Sequence, residues 1–153
     1  MTVHALLLFL HVVSVVVWVG GMFFAYVCLR PVAAQLLEPP QRLRLWSGVF
    51  ARFFVWVWWA VALIAGSGLT LFAQAGFKGS PLGWHLMLAS GLLMIAIYIY
   101  VASVPYRRLC CAVAAEDWPA GGAALNRIRQ MVGVNLLLGV LTIASATFGR
   151  YLA

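Results

Sequence analysis

Three imidazoles, His4, His11 and His85, carry most of the chemistry open to this chain. His11 lies in LHVVSVVVWVGGMFFA, residues 10–25, which is otherwise almost wholly apolar. An ionisable side chain in such a stretch is a functional candidate by default, because hydrocarbon penalises it. Neutral imidazole ligates iron, copper and zinc, and it relays protons near neutral pH. His4 precedes His11 by seven residues. On one helix the two share a face, roughly 10 Å apart along the axis, too far to hold one metal ion together. His85 sits in a separate apolar segment, GWHLMLASGLLM. Other chemistry is scarce. Glu38, Glu116 and Asp117 fall between the apolar segments, which disfavours a proton carrier built on an acid relay. HExxH, GxSxG and a phosphate-binding glycine loop are absent. Cys28, Cys110 and Cys111 form no CxxC or CxxCH, so covalent c-type haem is not expected.

The elements that must position these residues follow from composition. The chain has 153 residues, of which 65% are hydrophobic and 8% charged. A soluble domain carries roughly a quarter charged residues. The expectation is an all-α integral membrane protein, a single transmembrane domain over residues 1–153. A spanning helix needs about 20 mostly apolar residues, and four segments qualify: about 3–29, 47–75, 82–104 and 128–148. The first is expected to stop at Arg30-Pro31 and the third to end at PYRR. MTVHALLLFL lacks a basic start and a small-residue cleavage site, so the first segment is expected to persist in the mature protein. Pro119-Ala-Gly-Gly, within AAEDWPAGGAALNRIRQ, reads as turn chemistry before an amphipathic start to the fourth helix.

The formal charge of +7 has a topological reading that needs no nucleic acid. Arg30, Arg42 and Arg44 fall in the first loop, with Arg52 just inside the second helix. Arg107, Arg108, Arg127 and Arg129 fall in the third, whereas the second holds only Lys78. The positive-inside rule then puts loops one and three in the cytoplasm and both termini on the periplasmic, outer side of a bacterial inner membrane.

Under that topology the three histidines share the outer half of a four-transmembrane-helix bundle. The His11 face of the first helix continues through Ser14, Trp18, Gly21 and Ala25. The second helix shows Ser67, Thr70 and Gln74 at helical spacing, and the fourth shows Asn135, Gly139, Thr142, Ala146 and Gly149. Small and polar stripes let helices approach closely, and they also allow a C2 homodimer. A bundle interior of this kind can hold a cofactor. Two imidazoles from different helices suit a six-coordinate haem b. The leading expectation is therefore haem b between helices one and three, with His11 and His85 as axial ligands. Arg150, or Lys78, would pair with its propionates. Such a protein would be a membrane oxidoreductase exchanging electrons with a quinone or a periplasmic partner. The alternative is copper binding or copper import through His4, His11, His85 and Met87. Copper(I) prefers thiolate or thioether ligands, and of five methionines Met1 and Met87 fall near the outer end. A third reading is a non-catalytic membrane subunit whose histidines bond neighbouring hydroxyls. Trp56, Trp58 and Trp59 read as an interfacial belt, and Arg52 as a snorkelling side chain.

LHVVSVVVWVGGMFF in the first helix, RFFVWVW followed by GSGL in the second, WHLMLASGLLM in the third and RIRQMVGVNLLLGVLT in the fourth resemble the CopD-like (copper resistance D) membrane proteins. The resemblance covers nearly the whole chain, in the form of the small stand-alone members, and implies copper movement across the inner membrane. The first helix is also similar to HemJ-type protoporphyrinogen oxidases, small helical membrane proteins associated with haem b. There a first-helix histidine and a third-helix lysine are implicated. His11 would take the first role, and His85, in GWHLM, stands where the lysine would be.

Overall fold

The computed structural model describes residues 3–76 and 81–148. Helix α1 (Val3–Phe23) runs through a π-helical turn, Phe24–Leu29, into α2 (Arg30–Leu36). Then come α3 (Pro39–Ala75), α4 (Leu82–Ser103), α5 (Pro105–Ala114) and α6 (Trp118–Phe148). Four stretches, Val3–Leu36, Pro39–Ala75, Leu82–Ala114 and Trp118–Phe148, are long and apolar enough to cross a bilayer. The described chain is thus the expected all-α, four-span membrane architecture.

The helices run past the apolar segments, and the differences have local causes. Arg30-Pro31 does not stop the first helix. Proline lacks only a backbone N–H, which the first turn of a helix does not need, and Pro31 sits in the first turn of α2 after the π-helical turn. That wide turn inserts an extra residue and so rotates α2 by about 100° relative to α1. Helix α3 starts at Pro39, well before the apolar run, because Glu38 and Gln41 form a capping box across its first turn. The third span breaks at Val104, whose φ of −115° and ψ of −76° precede Pro105. It then resumes as α5 in place of ending at PYRR.

Pro119-Ala-Gly-Gly is not a turn. These residues lie in the first turns of α6, where Asp117 Oδ1 accepts the Ala120 N–H at 3.0 Å. The reversal falls just before them, at Glu116, with φ of 57°.

Helix α1 packs mainly on α3, while α4 and α5 pack mainly on α6. Both pairs are antiparallel. His4 and His11 of α1 meet Gln74 and Ser67 of α3 in reverse order. Aromatic rings fill the middle of the bundle. Tyr98 stands edge-on to Trp18 and Phe54, with ring centroids 6.0 and 5.5 Å apart. Its hydroxyl donates to the Phe54 carbonyl at 3.0 Å. The outward faces are apolar: Phe9, Trp56 and Trp59 are all more than 60% exposed, which is what a lipid-facing surface requires.

In lipid, association rests on close packing and on hydrogen bonds between helices. Thr142 Oγ1 of α6 lies 2.7 Å from Ser90 Oγ of α4, whose own proton goes to the Leu86 carbonyl. Thr142→Val removes that bond at nearly constant volume. It should lower unfolding stability in mixed detergent micelles by about 0.6 kcal/mol, read by tryptophan fluorescence.

Candidate functional site

His11 is half-buried on α1, and its Nδ1 lies 3.0 Å from Oγ of the buried Ser67 on α3. Ser67 gives its own proton to the Leu63 carbonyl one turn back in the same helix. Its oxygen is therefore placed to accept from His11 in the tautomer protonated on Nδ1. In that tautomer Nε2 keeps its lone pair, the arrangement found when a second group orients a metal-binding histidine. Gly68 makes the room: a Cβ there would stand 3.0 Å from His11 Cε1. About two turns further along α3, Gln74 Oε1 faces His4 Nδ1 at 3.4 Å, at an exposed position. His4 and His11 thus occupy one face of α1, as their spacing predicts, and α3 supplies both partners.

His85 is placed differently. Half-buried on α4, it stands edge-on to Phe72 of α3 at 5.2 Å. Ser67 and Phe72 are five residues apart on α3, so their side chains diverge by about 140° around the helix. His11 and His85 therefore meet α3 on different faces. An axial pair would need both imidazoles to address one iron from opposite sides. Arg150 and Lys78, the expected propionate partners, lie outside the described residues, as does Met1. Met87 is half-buried on α4. Among the described residues no group of three or more His, Cys, Asp or Glu side chains converges on one point.

The other expected polar positions divide by face. Ser14, Ser67 and Asn135 are buried. Thr70 is exposed and bonds the Gly66 carbonyl of its own helix at 2.7 Å.

Spacing alone did not single out the middle of the bundle. Met22 and Asn135 are each 3% exposed, and Asn135 Nδ2 lies 3.8 Å from Met22 Sδ. Asn135 Oδ1 is buried with no hydrogen-bond partner. Both side chains line a cavity of about 30 Å³, together with Met131, Trp18, Phe54 and Tyr98. That volume admits one small solvent molecule or ion. A buried amide oxygen without a partner is an energetic liability unless something is meant to meet it. Two thioethers, which are soft donors, and one harder amide oxygen form a neutral donor set. A signal was available: Met22 continues the Ser14–Trp18 row at four-residue spacing, and Met131 precedes Asn135 by four.

Fold and site together define a four-span helical membrane protein with imidazoles at one end of its interior and soft donors in the middle. A family model described as copper resistance protein D matches residues 47–148, two thirds of the chain. The chain belongs to that family. No curated protein and no solved structure gives a significant match.

Proposed function

We propose that this protein binds copper(I) and passes it through the inner membrane along the interior face of α1. The observation that carries this reading is the run of donors down that one face: His4 at the exposed end, His11 on Ser67, and Met22 beside Asn135. His11 and Met22 are about 16 Å apart along the helix, so they act in succession and not as one site. His11 captures the ion through Nε2. The cavity at Met22, Met131 and Asn135 offers the thioether ligands that copper(I) favours, and it leaves the cation no fixed negative charge to be trapped by. The family name, copper resistance protein D, supports the same metal. Haem b held by His11 and His85 gains no such support, since the two imidazoles meet α3 on different faces. The concentration of arginines in the connections Arg30–Arg44 and Arg107–Arg129 supports a cytoplasmic location for that end, with copper entering at the histidine end.

Anaerobic titration of the purified protein with copper(I) against a chromophoric chelator tests the proposal. The expected result is withdrawal of copper from the chelator by the wild type and loss of that competition in His4→Ala/His11→Ala. A protein that isolates with an intense Soret band and leaves the chelator loaded would instead establish the haem reading.

Asn135→Leu separates the site from the scaffold. Replacing a buried amide whose oxygen has no partner, and whose N–H meets only the weak thioether acceptor of Met22, by an apolar side chain of similar size is near neutral, so unfolding stability should change by less than about 1 kcal/mol. Copper passage should nevertheless fall to background while His11 still binds.

A further inference from the structure

The arginine-rich end holds a second cavity, which shares Ala25, Phe50 and Val132 with the lining of the cavity at Met22. It measures about 380 Å³, within the range of small-ligand sites. Arg30, Arg42 and Arg129 line it, brought together from α2, α3 and α6. Its deep wall is apolar, formed by the buried Leu43, Phe50 and Ile128. Tyr26, Trp46 and Trp118 add aromatic edges, and the Arg30 guanidinium lies 5.0 Å from the Tyr26 ring centroid. The π-helical turn Phe24–Leu29 sets the direction from which Tyr26 and Arg30 enter. Gly133 allows the Tyr26 ring to seat, since a Cβ there would meet it at 3.2 Å.

The positive charge around this cavity is unbalanced. The chain has three acidic residues, and each is already engaged. Glu38 caps α3. Glu116 pairs with Arg44 at 3.0 Å, the only ion pair among the described residues. Asp117 accepts the Ala120 N–H. Among the described residues no carboxylate forms an ion pair with Arg30, Arg42 or Arg129. Three cations converge on one cavity whose far wall is hydrocarbon, at a level where interfacial tryptophans and arginines meet headgroups.

We infer that this cavity binds an anionic phospholipid of the leaflet at the arginine-rich end. The guanidiniums take its phosphate, and Leu43, Phe50 and Ile128 take the first methylenes of a chain. Guanidinium forks match phosphate oxygens in pairs, and basic pockets between spanning helices are known headgroup sites. The apolar wall favours a lipid over a free phosphate, which has nothing to place there.

Native mass spectrometry of the detergent-solubilised protein, titrated with phosphatidylglycerol or phosphatidylcholine, tests this. An arginine near anionic lipid is worth about fivefold, so three should favour phosphatidylglycerol on the order of a hundredfold. The preference should collapse in R30Q/R42Q/R129Q and survive in R107Q/R108Q/R127Q, which removes as much charge elsewhere at the same end. Circular dichroism and a monodisperse elution profile confirm that both variants fold. Glycerol phosphate should fail to displace the lipid. Equal retention of both lipids, or equal loss in the two triple variants, would overturn the inference. Displacement by glycerol phosphate at lipid concentrations would reassign the cavity to a soluble phosphorylated solute. The experiment needs no copper, so its outcome is independent of the transport reading.

Discussion

His11→Ala should weaken copper(I) binding on the order of a hundredfold or more, since loss of a mere outer partner of a metal ligand already costs about 10–100-fold. The geometry makes this the largest expected effect of any single substitution on copper(I) affinity. Ser67 Oγ lies 3.0 Å from His11 Nδ1, and accepting that N–H leaves the Nε2 lone pair presented at the half-buried α1–α3 seam. His4 lies at an exposed position and binds Gln74 over a longer 3.4 Å contact, so His4→Ala should have the smaller effect. Ser67→Ala should fall between them, about tenfold, because it releases the ring without removing the ligand. Chelator competition gives all three values on one scale. The order His11 over Ser67 over His4 is the expected outcome. Equal affinities for wild type and His11→Ala would remove His11 from the path.

The largest structural effect should come from Gly21→Leu. A Cβ at Gly21 would run into Cε2 and Cζ of the Phe53 ring, so the ring must shift to admit any side chain there. The contact lies in the α1–α3 seam, the pair that also carries the histidines. Forcing extra volume into a packed interface costs about 1–3 kcal/mol, and in lipid no gain in hydrophobic burial offsets it, since packing itself drives association. Denaturation in mixed micelles should therefore move by that amount. The clash is with one side chain and not with backbone, so Gly21→Leu/Phe53→Ala should recover most of the loss. A cycle of the two substitutions would show strong coupling. Additive losses would mean that Gly21 matters for some reason other than Phe53.

Much of this organisation was legible in the residues, and the illegible parts share a cause. Composition and apolar run lengths indicate four spans, and the seven-residue step from His4 to His11 puts both on one face. The structure has both features. Periodicity sorts the faces of a helix but does not say which helix lies against which. The positions of His85 against Phe72, and of Met22 against Asn135, depend on α4 reaching α3 and α6 reaching α1. Those pairings arise from tertiary packing. Local signals also misled where proline and glycine have two uses. Pro31 and Pro119 lie in first helical turns and not in turns of the loop kind. The early start of α3 shows in Glu38-Pro39-Pro40-Gln41 as a capping box, which the polar composition of that stretch obscures.

The proposed path would need no acid relay. On it, a copper(I) ion moving from His11 to Met22, Met131 and Asn135 would meet only neutral ligands, so no carboxylate would have to be carried in hydrocarbon. The aromatic cluster of Trp18, Phe54 and Tyr98 lines the same cavity, and ring faces attract a partly desolvated cation. Arginines gather at the opposite end of the bundle from His4 and His11, so the path begins away from fixed positive charge.

The most direct test of copper passage is uptake into proteoliposomes. Purified protein is reconstituted with a copper(I)-sensitive dye in the lumen, and copper(I) is supplied outside under reducing conditions. Wild type should quench the dye well above the rate of protein-free vesicles, while His11→Ala and Asn135→Leu, incorporated to the same level, should remain at background. Quenching by wild type no faster than by empty vesicles, or by Asn135→Leu as fast as by wild type, would contradict the proposed path.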